Sequence, residues 1–291
     1  RCETSLSSHE VAQGYKDDVE DPSVYIKFKL AGKSAGTFAL DKPAYFLAWT
    51  TTPWTLPGNT DVAVSPEAWY AVIEEDDEYL ILAEARLGAA GLGDKKIIER
   101  ITGLDLVNQE YEPLYRIPII KGDEEKNSYR VIEGDFVSME DGTGIVHIAP
   151  AYGEIDFQVG EKEGLALVHT VNLSGEVRYT SPGQTPKIWK GKADNPVSNN
   201  EYIKLPGEGK FVKDADKDII TDLKERGLLF RSETIRHTYP FCWRCEAPLL
   251  YYAKQTWYIR TTAKKDELIS GNNQINWYPE HTKHGRFGDW L

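Results

Sequence analysis

The chain has 291 residues, of which 41% are hydrophobic and 27% charged, and it carries a formal net charge of −12. This length suffices for a sizeable core in one large domain or two smaller ones. The acidic balance argues against broad, sequence-independent nucleic-acid binding, because such binding depends on Lys and Arg neutralising phosphates. Any contact with RNA is therefore expected on one restricted face.

The apolar runs are only a handful of residues long, far short of the ~20 needed to cross a bilayer. Three cysteines are too few for a disulfide framework and fit a reducing compartment, so a cytoplasmic location is predicted. The chain starts at Arg1 without a signal peptide and ends at Leu291 without the features of a natural tail. We expect a piece of a longer protein.

Strand signals dominate the chain. Apolar and polar residues alternate with period two at 24–30, which predicts a half-buried strand. Further strand-like runs, most of them separated by turn residues, lie at 45–49, 69–73, 79–82, 130–132, 145–148, 165–168 and 228–230. Many short strands with a few peripheral helices predict an α+β fold with a β-barrel-like core or a strongly curved sheet.

Helical periodicity is rarer. Ala215, Ile219 and Leu223 recur every fourth residue, so a helix is predicted there, with Asp214 suited to its start and Gly227 to its end. A second helix is predicted through 262–270, where charged residues leave a polar face. Residues 172–198 hold Gly and Pro with little periodicity, and an ordered excursion or a mobile loop is predicted for them.

The first segment that bears chemistry is Thr50-Thr-Thr-Pro-Trp-Thr-Leu-Pro-Gly-Asn59. Three consecutive threonines after a strand present hydroxyls to both faces, since alternate strand residues point oppositely. Pro53 and Pro57 fix φ, and Gly58 permits a tight turn. Taken alone, this segment is also what a threonine-rich strand end followed by a turn would look like.

The second segment is Gly142-Thr-Gly-Ile-Val-His147-Ile-Ala-Pro-Ala-Tyr-Gly-Glu-Ile-Asp156. A predicted strand delivers His147, and a short helical pattern follows Gly153. Asp156 is expected in the first turn of that helix, where the macrodipole favours a carboxylate. Taken alone, this segment also fits a structural histidine followed by an acidic residue at a helix start.

In combination, the two segments resemble the editing insertion (connective peptide 1) of isoleucyl-tRNA synthetases. The resemblance continues through Tyr239-Pro-Phe-Cys-Trp-Arg-Cys245 and reaches Lys283-His-Gly-Arg-Phe-Gly-Asp-Trp290, so that it covers nearly the whole chain. Trp54, directly after Thr-Thr-Thr-Pro, separates the chain from the valyl and leucyl relatives, which carry an Arg-Pro variant there. His-x-Gly-His and Lys-Met-Ser-Lys-Ser, the ATP-handling signatures of this synthetase class, are absent from the sequence.

The resemblance implies an aminoacyl-tRNA deacylase that does not activate amino acids. Its substrate would be valine esterified to the 3′ end of isoleucine tRNA, with valyl-adenylate as a second candidate. Asp156 would hold the α-ammonium group by a charge-assisted bond. The remaining residues implied at the site are the threonines Thr50, Thr51 and Thr52 at the ester and adenosine, Asn59 at the terminal nucleotide, and Trp54, His147 and Tyr239 around the side-chain pocket.

The cysteines form a separate group. Cys242-x-x-Cys245 has the spacing of half a structural zinc knuckle, although a lone pair of this kind can also be redox-active. The family places a second pair beside it, and Cys2 resembles the last member of that pair. The resemblance thus implies structural zinc in a ribbon-like stem that joins the insertion to the absent catalytic and anticodon-binding domains.

The implied domain organisation is a stem at 1–30, an editing domain at 31–235 and a second stem at 236–291. Three alternatives stay open: a free-standing factor that edits in trans, an inactive RNA-binding or interdomain zinc module, and a plain acidic scaffold with a buried threonine-rich strand. A reading frame that extends upstream of Arg1 would eliminate the first, and ester hydrolysis by the isolated chain would separate an editing domain from the second.

Overall fold

The computed structural model describes residues 2–32, 38, 40–117, 126–178, 204–254, 256–257 and 259–291. The chain divides into two compact units, Arg1–Ala253 and Lys254–Leu291. The predicted partition at residues 30 and 235 stays a prediction.

Nine strands lie in the described part of the first unit. They are β1 (Tyr15–Lys29), β2 (Ala44–Thr50), β3 (Asp61–Val64), β4 (Trp69–Glu75), β5 (Glu78–Ala83), β6 (Ile97–Thr102), β7 (Val131–Glu133), β8 (Ile145–Ile148) and β9 (Leu229–Pro240). The helices of this unit are α1 (Ser8–Ala12), α2 (Gly103–Leu106), α3 (Glu154–Glu163) and α4 (Val212–Glu225), with 3₁₀ turns at Pro53–Gly58 and Glu84–Arg86.

The strands form two open sheets. Six of them are ordered β6-β4-β5-β2-β1-β9, and three are ordered β7-β3-β8. Neighbours pair antiparallel except β2 with β5 and β3 with β7, which run parallel. The α+β class is confirmed, but the barrel-like core is wrong: among the described strands, β6 and β9 stay at opposite edges of an open sheet and do not close it.

One core joins the two sheets. Val24, Ile26 and Phe28 of β1 are fully buried, as their period-two spacing requires, and they share a hydrophobic cluster with Val62 of β3 and Ile145 of β8. Burial of such a cluster, at roughly 25 cal/mol per Å² of apolar surface, is the main force that holds the sheets together. The packing places the ends of β2, β3 and β8 beside one another.

Most predicted strands are found, and several extend further than predicted. The exception is 165–168, which forms no strand: Leu165, Ala166 and Val168 are buried in an irregular segment that crosses the core. Apolar residues alone do not distinguish such a segment from a strand. Two strands were not predicted, namely β3, which has only four residues, and β6, which lies at a sheet edge.

The helices predicted around Ala215 and at 262–270 exist with shifted bounds. The helix predicted around Ala215 is α4, which begins two residues before Asp214 and ends just before Gly227, a glycine at φ 70° that stops it. The helix predicted at 262–270 appears as a 3₁₀ turn, Thr261–Lys264, followed by α5 (Lys265–Gln274). Of the segment 172–198, residues 179–198 lie outside the described part of the chain.

The second unit also contains the short helices α6 (His281–His284) and α7 (Arg286–Trp290). Its interior is small: Trp277 and Phe287 pack with ring centroids 5.0 Å apart, and Asn272 accepts a hydrogen bond from the Trp277 indole. No helix in the described part of either unit has the length and apolar character that a membrane span requires.

Candidate active site

The two chemistry-bearing segments meet at one junction. The threonine-rich segment leaves β2 at Thr50, passes through the 3₁₀ turn Pro53–Gly58 and enters β3. β3 pairs antiparallel with β8, so that Val62 lies opposite His147. This pairing is what sets the histidine beside the turn, although some 90 residues separate the two segments.

A chain of hydrogen bonds runs through the junction. Thr50 Oγ1 lies 3.3 Å from Thr52 Oγ1 and accepts a bond from the Thr52 backbone N–H at 3.2 Å. Thr52 Oγ1 lies 3.4 Å from Thr55 Oγ1, which in turn lies 3.1 Å from His147 Nε2. The threonine hydroxyls and the imidazole therefore form one connected polar cluster.

The hydrogen-bond neighbours of the His147 ring favour one tautomer. Thr55 Oγ1 also lies 2.8 Å from the Thr52 carbonyl, and a hydroxyl that donates its single proton to that carbonyl leaves Nε2–H to donate the bond between His147 and Thr55. Burial lowers the pKa of His147 to about 4, so the ring is neutral near pH 7. Nδ1 is then a buried lone-pair acceptor, and it has no hydrogen-bond partner within the described part of the chain.

Asp156 lies next to the histidine strand. It occupies the first turn of α3, and its Oδ2 accepts a hydrogen bond from the Ala149 backbone N–H at 2.8 Å, two residues after His147. The carboxyl is partly exposed, yet burial still raises its pKa to about 6. It is ionised at pH 7 and retains acceptor capacity for a cation, since a carboxylate offers about four lone-pair positions.

Aromatic residues form the adjoining wall. Trp54 is 3% exposed and meets Tyr152 edge to face, with ring centroids 5.1 Å apart. Gly58 has no room for a side chain, because a Cβ there would lie 2.9 Å from Tyr152 Cε2. Thr51 is half-buried between Thr50 and Thr52.

Two predicted site residues are engaged elsewhere. Asn59 is 4% exposed; its Nδ2 donates to the Asp61 carbonyl at 2.7 Å, and its Oδ1 accepts from the Tyr111 hydroxyl at 2.6 Å. The Asn59 amide thus stabilises the end of the 3₁₀ turn. Tyr239 lies on β9, where its hydroxyl donates to the Leu249 carbonyl at 2.7 Å and Lys213 Nζ stands 4.2 Å from its ring. The predicted ligand contacts of both residues stay predictions.

Sequence analysis missed two participants. Thr55 links the threonines to His147, and its position three residues after Thr52, the spacing of one 3₁₀ turn, was an available signal. Asp216 of α4 accepts a hydrogen bond from the Trp54 backbone N–H at 2.8 Å across 162 residues of sequence. Burial raises the pKa of Asp216 to about 7. Nothing in the local sequence pairs it with the turn.

The three cysteines lie close together in space, although Cys2 is near the start of the first unit's sequence and the other two are near its end. The Sγ atoms of Cys2, Cys242 and Cys245 all lie within 4.8 Å of one another. The Cys242 N–H donates to the Ala247 carbonyl at 2.8 Å, and Glu246 adopts a positive φ of 57°. This tight turn brings the two cysteines of the Cys-x-x-Cys pair to the same side.

Comparison with solved structures identifies the fold. The chain superimposes on the crystal structure of GlLeuRS-CP1 with a TM-score of 0.51 at 18% identity, covering 72% of this chain and 96% of that one. The fold is therefore that of a CP1 domain, the class that the sequence motifs indicate. No family model matches the chain.

Sequence comparison gives the family. Isoleucine--tRNA ligase of Dehalococcoides mccartyi is 52% identical over the whole chain, and that of Thermoplasma acidophilum is 43% identical over the whole chain. The chain is thus related over its full length to isoleucine--tRNA ligases, and the family recognised from its motifs is confirmed. It spans 28% of the length of the Dehalococcoides relative.

Proposed function

We propose that this chain is an editing domain that hydrolyses the ester bond of valine mischarged onto isoleucine tRNA. The observation that carries the proposal is the convergence of threonine hydroxyls, a neutral His147 and an ionisable Asp156 at the junction of two otherwise distant segments. A cation-binding carboxylate beside hydroxyl and imidazole groups suits the ammonium and ester of an aminoacyl nucleotide. The rest of the parent synthetase and the tRNA would be its partners.

The need for such a site follows from the energy of one methylene group. A pocket that accepts isoleucine rejects valine by only ~1–3 kcal/mol, and the isoleucine enzyme is the usual example of this limit. A second, smaller site that destroys the wrong product improves the selection. In this chain, the Trp54 and His147 side chains would limit the volume available to the amino-acid side chain.

Hydrolysis at this junction would use a positioned water rather than a protein nucleophile. The Thr55–His147 pair resembles a nucleophile and its base, but a Thr55 hydroxyl that donates to the Thr52 carbonyl has no proton to give to the imidazole. His147 therefore does not activate Thr55. An aminoacyl ester is already reactive, so orientation of water and hydrogen bonds to the developing oxyanion suffice. The substrate's own ribose hydroxyl would assist the water.

The pH dependence of valine release tests the role of Asp156. Its pKa of about 6 lies above the ordinary 3.8, so the anchoring carboxylate is the form above pH 6 and is lost as pH falls. We expect kcat/KM for valyl-tRNA to fall about tenfold per pH unit below the inflection. Asp216, with a pKa of about 7, titrates in the same window, and so Asp156→Asn is the informative comparison.

In Asp156→Asn the inflection near pH 6 should disappear, while any inflection due to Asp216 persists. An unchanged profile in this variant would take the titration away from Asp156. A chain that releases no valine above the spontaneous rate at any pH contradicts the proposed function and favours an inactive module.

We also propose that the cysteines hold structural zinc. Tetrahedral zinc with Zn–S distances of about 2.3 Å sets its sulfurs about 3.8 Å apart, and three Sγ atoms within 4.8 Å of one another fit that arrangement with small movements. Cys2, Cys242 and Cys245 would supply three ligands, and zinc would tie the two ends of the first unit together. A ribbon-like stem is the expected result.

Metal analysis tests the zinc proposal. The purified chain should contain up to about one zinc per chain, held less tightly than by four thiolates, because a fourth protein ligand is lacking among these cysteines. Cys242→Ser should lower the zinc content markedly, since it removes the buried ligand of the three. Equal zinc content in parent and variant would show that the cysteines do not bind it.

A further inference from the structure

The start of the 3₁₀ turn Pro53–Gly58 is held from a distant helix. Pro53 has no N–H, and the Thr55 N–H bonds to the Thr52 carbonyl at 3.0 Å. The Trp54 N–H is therefore the donor at the start of the turn that has no partner within the turn itself. Thr52, at the capping position, provides no side-chain cap. Asp216 Oδ1 accepts the Trp54 N–H at 2.8 Å and so caps the turn in trans.

The location of Asp216 is unusual for a carboxylic acid. It is 2% exposed, on the face of α4 that buries Val212, Ala215 and Ile219. Its Oδ2 has no hydrogen-bond partner in the described part of the chain. Burying a carboxyl group with an incomplete set of partners costs free energy, so packing alone does not explain its presence.

Charged groups surround Asp216 and fix its helix. Lys213 of the same helix bonds to both carboxylate oxygens of Asp21 on β1 at 2.7 Å, and Asp21 is 5% exposed. His237 Nε2 on β9 lies 2.8 Å from Asp21 Oδ2. The Lys213 charge lowers the pKa of Asp216 and the Asp21 charge raises it. α4 is thus bonded to β1 through Asp21, which in turn bonds to β9 through His237.

We propose that Asp216 is a positioning residue that holds the Trp54 backbone and thereby sets the threonine hydroxyls against His147. Trp54 is followed directly by Thr55, the residue bonded to His147 Nε2. Release of the Trp54 N–H would let the turn move and would disrupt the hydrogen bond between Thr55 and His147. The effect on hydrolysis rests on the proposed editing function, whereas the backbone anchor itself does not.

The test compares Asp216→Leu with Asp216→Asn. Leucine removes the acceptor and suits the apolar face of α4, while asparagine keeps an acceptor oxygen in nearly the same place. Amide exchange at Trp54, followed by NMR, should quicken about tenfold or more in Asp216→Leu and stay close to the parent in Asp216→Asn. With valyl-tRNA, Asp216→Leu should lower kcat by about tenfold at nearly unchanged KM, and Asp216→Asn should restore it.

Asp218→Leu is the matched control. Asp218 lies on the same helix, pairs with Lys210 at 2.7 Å and has no bond to the turn, so its replacement should leave Trp54 exchange and kcat unchanged. If Asp216→Leu does not fold, Asp216→Ser, which is too short to reach the Trp54 N–H, takes its place.

Unchanged Trp54 exchange in the variant that lacks the bond to the Trp54 N–H, whether Asp216→Leu or its replacement Asp216→Ser, overturns the anchor. Faster exchange with unchanged kcat overturns the positioning role. A parent chain that lacks deacylase activity contradicts the proposed function instead, and the exchange result still decides the anchor.

Discussion

Asp156→Ala should lower the rate of valine release from valyl-tRNA by about 10- to 160-fold, because hydrogen bonds to charged groups contribute ~1.5–3 kcal/mol. The substitution removes the carboxylate that accepts the Ala149 N–H directly after the His147 strand. The expected loss appears in both kcat and kcat/KM, since an unanchored ammonium leaves the ester poorly oriented toward water. Single-turnover deacylation measures it.

Two further variants separate charge from fold at this position. Asp156 also accepts the Ala149 N–H, so alanine leaves that donor without its partner and costs some stability. Asp156→Asn keeps an acceptor for Ala149 but removes the charge, and it should be stable yet nearly as inactive. Glu154→Gln, which alters an exposed carboxylate in the same helical turn, should retain full activity. Deacylation at the parental rate by Asp156→Ala would end its assignment as the ammonium anchor.

His147→Ala should raise the ratio of isoleucyl to valyl deacylation. The buried imidazole occupies volume beside the threonine cluster, and its removal makes room for the extra methylene of isoleucine. The gain is expected within the roughly 10- to 200-fold range that one methylene commands. Valyl-tRNA should still be hydrolysed, although the loss of the bond to Thr55 slows the reaction. The quantity to measure is the ratio of kcat/KM for the two charged tRNAs, variant against parent.

His169→Ala is the matched control for emptying a buried imidazole site. His169 is fully buried and its pKa is likewise lowered to about 4, but it stacks on Tyr252 with centroids 4.7 Å apart and meets Tyr152 edge to face at 6.2 Å. This variant should lose stability and leave the isoleucyl-to-valyl ratio as it is. If both histidine variants change the ratio equally, or if His147→Ala does not raise it, the size limit does not come from His147.

The parts of the fold that sequence predicts are those with a strong local period. In the second part of β1, apolar and polar residues alternate so regularly that the sequence predicts the buried face formed by Val24, Ile26 and Phe28. The segment 165–168 is the counterexample, because an apolar stretch buried without strand partners carries the same composition as a strand. The period of the apolar residues likewise does not predict whether the sheet closes. Closure requires the edge strands β6 and β9 to pair with each other, and in the described part of the chain they do not pair.

The candidate site shows the same division. The strand that carries His147 and the helix start that carries Asp156 were predicted from the local pattern, and both are found. The hydrogen bond between Thr55 and His147 depends on β3 pairing with β8, and β3 was too short to predict. Asp216 stands one helical turn after Val212, on the buried side, but its bond to Trp54 is a tertiary contact without a sequence period.

The measurement that tests the editing assignment most directly is deacylation of one isoleucine tRNA charged with either valine or isoleucine, by this chain at neutral pH. Valine should be released well above the spontaneous rate and faster than isoleucine by roughly 10- to 200-fold, the range expected for one methylene group. Release of both amino acids at the spontaneous rate, or of isoleucine as fast as valine, would contradict the assignment of a valine-selective hydrolytic site.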